Sequence, residues 1–343
     1  MRRVQLCLPE QSAAARQFPY RQAHDLLGGT AMSWRPATVP GIMLAVVLAL
    51  LPGTALHAWQ FGTVVLMQTA WCVLFAWLVE AGCLRLRGLP LRRGLADLSW
   101  LVSGWLMARA LPVMVPVWMM LLAMVVALGI VKHGSGGLGR NRLNPVMAGL
   151  GVIAVCFYQL LYPAPSLLAP WTRELGLAEV LAQQLMLAPR LQMDALSSAT
   201  PLATGLLDEA AHYLSWIGYL AGGVLLAVIR VIRLEIPLAM MASSTLLCML
   251  AGHSFVEGLH SLTLGGYLFA AFFIATDPVT SPDSRLGRVL FGVLIGAVTE
   301  MVREFGLYAD GLCFAILTGN LLVPQLDRLA RRLHAPTRRW QRA

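Results

Sequence analysis

Charge is scarce in this chain. Only 13% of its 343 residues are Asp, Glu, Lys or Arg, roughly half the 25% of soluble globular domains. That shortage, beside 58% hydrophobic residues, excludes an ordinary soluble fold and points to a lipid bilayer. Paired cysteines are missing too. Cys7, Cys72, Cys83, Cys156, Cys248 and Cys313 include no C-x-x-C spacing, and most lie within apolar runs. Metal or cluster ligation by this chain alone is not expected, and the thiols read as small packing residues. A signal-peptide pattern is also lacking, because no apolar core follows the early arginines within the first 38 residues.

What is present is a series of apolar runs. Ten are predicted to span a membrane, over roughly 40–58, 60–80, 96–111, 114–131, 145–161, 212–230, 236–252, 261–276, 289–305 and 309–326. Residues 1–39 read as a cytoplasmic arm, 40–326 as the membrane domain and 327–343 as a basic tail. The expected fold is an all-α polytopic membrane protein.

The net charge of +9 would raise nucleic acid as a partner in a soluble protein. Here the basic residues flank apolar runs and report topology instead. With ten spans, 22 of the 26 Lys and Arg residues fall on the side that holds both termini. Merging the third and fourth spans leaves a near-even division and buries Arg109. The positive-inside rule therefore selects ten spans with cytoplasmic termini. Ten divides into five and five, and related halves of five helices require inverted topology.

This topology places a long loop, 162–211, on the outer (periplasmic) face. It is too long to be a mere connector. Within it runs Asp194-Ala195-Leu196-Ser197-Ser198-Ala199-Thr200-Pro201. By composition this is a Ser/Thr-rich turn or a helix cap. Two short loops face the cytoplasm. One carries Gly136, Gly137, Gly139, Asn141 and Asn144; the other carries Thr276, Asp277 and Pro278. The glycines suit either a tight turn or backbone N–H groups around a phosphate. Pro278 frees carbonyls beside the Asp277 carboxylate, which makes Asp277 a candidate on a cation path. Glu300 and Arg303, three apart, can pair on one helix face. Glu80, Asp97 and Glu235 read as solvated span ends.

The outer segment resembles the flavin-attachment motif of the family that contains the D subunit of the Rnf complex and the B subunit of the sodium-pumping NADH:quinone oxidoreductase. In that family an Asp six residues before the acceptor, followed by Ser-Gly-Ala-Thr, is recognised by a flavin transferase. Asp194, Ser197, Ala199 and Thr200 match, and Ser198 stands in place of the glycine. Further similar blocks are Lys132-His133 with Gly136–Asn141 and Asn144-Pro145, Phe272–Pro282 with Gly287-Arg288, and Tyr308–Gly311 with Phe314-Ala315. They run from about 132 to 320 in family order.

The resemblance implies a ten-helix fold in a bacterial inner membrane and covalent FMN joined through its phosphate to Thr200. It also implies a second, noncovalent riboflavin, for which Asn141, Asn144, Thr276 and Asp277 are the candidate wall. The implied partners are the flavin transferase and the iron–sulfur, flavin and membrane subunits of an ion-translocating ferredoxin:NAD oxidoreductase, with no nucleic acid. Electron transfer would be coupled to Na⁺ or H⁺ movement. The short chain favours the Rnf type over the quinone-reductase type. A transporter or channel with a vestigial flavin motif is the reading from another class.

Overall fold

The computed structural model describes residues 38–157, 176–186, 215–305 and 311–334. The N-terminal arm up to residue 37, the segment Asp194–Thr200 and most of the basic tail lie outside the described residues. Among the described residues every regular element is helical.

Helices α1 (Val39–Phe61) and α2 (Thr63–Leu86) are long and apolar enough to cross a membrane by length and composition. Thr38 caps α1 by accepting from the Gly41 amide at 3.3 Å. Gly62 separates the two helices at φ 77°, where only a residue without a Cβ sits comfortably. Only 28% of the apolar window of α1 is buried inside the protein. A core helix of a soluble protein would be mostly covered. Here Leu44, Leu48 and Leu51 face outward, as a lipid-facing helix requires.

The remaining helices are α3 (Leu91–Leu95), α4 (Ser99–Ala110), α5 (Val117–Met124), α6 (Pro145–Cys156), α7 (Leu177–Gln184), α8 (Ser215–Val228), α9 (Glu235–Leu250), α10 (Phe255–Ser261), α11 (Tyr267–Phe273), α12 (Arg285–Phe305) and α13 (Leu312–His334). Each predicted apolar run contains one of the described helices. The main pairings are α1 with α8, α2 with α4, α9 with α12, and α12 with α13. Small residues set the closest approach. A Cβ on Gly222 of α8 would collide with the Ala49 carbonyl of α1. In lipid this backbone proximity takes the place of a hydrophobic driving force.

Three features depart from the sequence reading. The eighth run, 261–276, is not one helix: α10 and α11 are separate, and Gly265 and Gly266 between them adopt φ 58° and 71°. All seven residues of α11 are buried, as a broken helix at membrane depth must be. The fourth run changes winding, with α5 passing into a π-helical segment over Val125–His133. The last helix continues to His334 instead of ending near 326. Its extension keeps helical apolar spacing at Leu326, Leu329 and Leu333, and Asp327 accepts from the Ser284 hydroxyl at 3.1 Å.

Candidate functional site

Three buried polar regions stand out among the described residues. The first surrounds Asn144, which caps α6 by accepting from the Val146 and Met147 amides at 3.0 and 3.2 Å, with Pro145 in the first turn. Its own amide donates to Asn320 Oδ1 on α13 at 2.9 Å, and Asn320 Nδ2 donates to the Thr280 carbonyl at 3.1 Å. Asn144 Nδ2 reaches toward the Ile274 carbonyl at 3.5 Å. The Thr276 hydroxyl donates to the Phe272 carbonyl at 2.6 Å. The Asp277 carboxylate accepts from the Val279 amide at 3.1 Å and the Thr280 hydroxyl at 3.2 Å. Burial holds Asp277 above the usual carboxylate range, with those two bonds opposing the rise.

Two loops distant in sequence thus meet through Asn144, Asn320 and residues 274–280. Asn141 donates instead within its own loop, to the Leu143 carbonyl at 2.9 Å. Sequence reasoning missed Asn320. Its one signal was a side-chain amide within the last apolar run.

The second region lies between α2, α4 and the π-helical segment. Glu80 was expected to be a solvated span end, and that reading is wrong: the side chain is 2% exposed. Lys132, also buried, donates to Glu80 Oε1 at 2.8 Å and to the Ser99 hydroxyl at 2.7 Å. Ser99 in turn donates to Asp97 at 2.7 Å. His133 Nε2 stands 3.1 Å from Glu80 Oε2. Neighbouring residues on a π turn are separated by a smaller angle than on an α turn, so Lys132 and His133 both reach one carboxylate.

Arg87 Nη1 lies 3.0 Å from His133 Nδ1. Arginine only donates, so Nδ1 is the acceptor in that contact. A cavity of about 180 Å³ opens beside this cluster, lined by Arg87, Asp97, Gly136 and Gly137 among others. The Gly136 and Gly137 amides donate to the His133 and Lys132 carbonyls at 3.1 and 2.9 Å. These N–H groups therefore serve a tight turn and do not point at a phosphate.

The third region lies at the opposite ends of the helices. Glu300 and Arg303 do not pair with each other. Glu300 accepts from the Ser244 hydroxyl of α9 at 2.6 Å. Arg303 donates to the Ser261 and Leu264 carbonyls at 2.8 and 3.2 Å and lies 5.2 Å above the Tyr267 ring. Each finds a better partner across the bundle than along its own helix.

Arg109, in the last turn of α4, donates through Nη2 to the Val65 carbonyl at 3.0 Å and the Thr69 hydroxyl at 3.1 Å. Other contacts involve residues 176–186 and Ser215. Trp118 Nε1 contacts Met186 Sδ at 3.4 Å, and the Ser215 amide donates to Gln60 Oε1 at 3.2 Å. Val180 of α7 packs on Val64 and Val65 of α2.

The profile of the NQR2, RnfD, RnfE family matches residues 32–335. The chain belongs to this family. The match takes in every described helix, from Val39 at the start of α1 to His334 at the end of α13. Among similar proteins, one from Escherichia fergusonii, named as the D subunit of an ion-translocating oxidoreductase complex, is 35% identical over 326 residues, covering 84% of this chain and 92% of the relative. A protein of the same name from Stutzerimonas stutzeri is 36% identical over 339 residues, covering 86% of this chain and 91% of its own. A third, from Shewanella denitrificans, is 33% identical over 329 residues, covering 84% of this chain and 92% of the relative.

Proposed function

We propose that this chain is the D-type membrane subunit of an ion-translocating oxidoreductase complex and carries FMN covalently on Thr200, on the outer face. The observation that carries the reading is Asp194-x-x-Ser197-Ser198-Ala199-Thr200 within a chain of this family. A hydroxyl accepts a phosphoryl group from an external transferase only where the enzyme can reach it, and the charge count puts residues 162–211 outside. Covalent attachment also keeps a flavin that would otherwise diffuse away.

Donors that suit a flavin ring are present among the described residues. A flavin ring presents carbonyl and ring-nitrogen acceptors, and Arg109 keeps N–H groups without an acceptor. When bound, the flavin supplies the redox chemistry, while the protein sets its position and potential. Thr200 is an anchor and takes no part in electron transfer. A hydrocarbon core about 30 Å thick separates an outer flavin from cytoplasmic ferredoxin or nicotinamide. Partner subunits with iron–sulfur and flavin centres must therefore complete the relay. Moving one charge through 100 mV is worth about 2.3 kcal/mol, which couples that relay to Na⁺ or H⁺ movement. For a second, noncovalent flavin, Asn144, Thr276 and Asp277 offer the polar wall.

The test is in-gel fluorescence of the denatured subunit from cells that contain the flavin transferase. We expect a fluorescent band that Thr200→Ala abolishes. A dark wild-type band would leave a transporter with a vestigial motif as the better reading. Fluorescence surviving Thr200→Ala would remove the site assignment.

A further inference from the structure

The cavity beside the Lys132 cluster, about 180 Å³ in volume, has a lining that runs from buried Glu80 and Lys132 to exposed Arg87 and Leu89. Two side-chain atoms in that lining are shut off from solvent with no partner in hydrogen-bonding geometry: Glu80 Oε2 and His133 Nε2. They stand 3.1 Å apart on side chains that are 2% and 6% exposed. A buried carboxylate oxygen without a donor is costly. A positive charge on the imidazole beside it would offset that cost.

Arg87 lies across the other nitrogen of the ring. Its Nη1 is 3.0 Å from His133 Nδ1, and its Nη2 donates to the Gly136 carbonyl at 3.1 Å. Gly137, at φ 105°, leaves room for the guanidinium: a Cβ there would stand 3.2 Å from Nη1. A guanidinium accepts no hydrogen bond, and an imidazolium donates from both nitrogens. Arg87 and a proton therefore compete for one lone pair, at Nδ1. The charged and titratable groups around His133 come from each element packed on it. Helix α2 brings Glu80, Arg87 and the Cys83 thiol, which lies in their field. Asp97 reaches the cluster through Ser99. Lys132 precedes His133 on the π-helical segment, and Arg140 packs over Gly136. Helices α5 and α6 carry no charged residue.

We propose that His133 and Glu80 form a proton-binding site and that Arg87 is its latch. With the ring neutral, Arg87 is closed on Nδ1 and on the Gly136 carbonyl. A proton taken from solvent through the cavity forms an N–H bond at Nδ1. Arg87 then loses its acceptor and turns outward, and the imidazolium faces the Glu80 carboxylate. No electron moves. Lys132 stays on Glu80 Oε1 and Ser99, so the pair that joins the helices is kept in both states. A metal cation is repelled by Lys132 and Arg87, and an anion by Glu80 and Asp97. A proton instead lands on a neutral ring beside a carboxylate oxygen that lacks a donor.

The test uses the whole purified complex. Deuterium exchange at the His133 ring C2 position, read by peptide mass spectrometry from about pH 5 to 9, reports its titration. In wild type the ring should titrate within that range. Arg87→Gln removes the competing donor and should raise the midpoint by about one unit, a tenfold gain in proton affinity. Backbone exchange over 134–138, corrected for intrinsic rates, should be slow above the wild-type midpoint and fast below it. In Arg87→Gln it should be fast at every pH. In His133→Gln, whose side-chain oxygen accepts from Arg87 at any pH, it should stay slow. A ring that does not titrate in wild type overturns the proposal. So does an unmoved midpoint in Arg87→Gln, or loop exchange that keeps its pH dependence in His133→Gln. If the variants do not assemble, wild type decides: ring and loop midpoints more than about one unit apart overturn the latch. None of these outcomes depends on a flavin on Thr200.

Discussion

Lys132 and Arg109 are two cations in the same half of the chain with opposite surroundings. Lys132 is 3% exposed and meets Glu80 and Ser99 within 2.8 Å. Arg109 meets a carbonyl and a hydroxyl through Nη2, with the Tyr219 phenol beside it. Charges within a membrane are costly unless paired. The Lys132–Glu80–Ser99 contacts hold α2, α4 and the π-helical segment together, with Glu80 Oε2 and His133 Nε2 left outside hydrogen-bonding geometry. Arg109 has no carboxylate partner among the described residues and is held by neutral groups.

The largest effect is expected on the paired side of this contrast. Lys132→Met strands the Glu80 carboxylate and should destabilise the fold by about 3–5 kcal/mol, the usual cost of breaking a buried pair. Adding Glu80→Gln should restore most of that loss, because the stranded charge is gone. Unfolding of the solubilised subunit followed by helical circular dichroism measures both. A double variant no more stable than Lys132→Met would show that Lys132 does more than neutralise Glu80.

A smaller effect is expected at the neutral polar knot. Asn320→Leu leaves the Asn144 amide and the Thr280 carbonyl without their side-chain partner, at about 1–3 kcal/mol. It should also loosen residues 274–280 in hydrogen exchange. Unchanged exchange there would show that Asn320 does not tie the two loops together.

The smallest effect is expected at an exposed, fully partnered carboxylate. Glu257 closes a capping box on α10, accepting from the Ser254 amide at 2.6 Å while its own amide donates to the Ser254 hydroxyl at 3.2 Å. The bonds to Ser254 hold its carboxyl below the usual glutamate range, with His253 assisting. A depressed folded value means that the cap stabilises above the ordinary glutamate range and is lost as pH falls through the folded value. Amide exchange over 255–261, corrected for intrinsic rates, should accelerate in acid, and Glu257→Gln should remove that acid dependence.

How much of this was legible from sequence follows from how local each feature is. Apolar runs located helices because the signal lies within each run. The break at Gly265-Gly266 was hidden inside an apolar stretch whose composition alone resembles a continuous span. The burial of Glu80 depends on Lys132, 52 residues away, and on the π winding that presents it. Glu300 and Arg303 have helix-pair spacing, yet their partners come from α9 and from residues 261–264. For the candidate site, Asn144, Thr276 and Asp277 were legible from their loops, while Asn320 and the unmet donors of Arg109 exist only once several helices are packed. Family membership was legible because its motifs are contiguous. Thr200 itself lies outside the described residues, so chemistry on the protein must test it.

The most direct measurement is peptide mass spectrometry of the subunit purified with its complex from cells that contain the flavin transferase. The peptide containing Thr200 should carry the mass of phosphoester-linked FMN, with fragmentation placing it on that residue. An unmodified Thr200 in an assembled, electron-transferring complex would contradict the assignment of Thr200 as the flavin anchor.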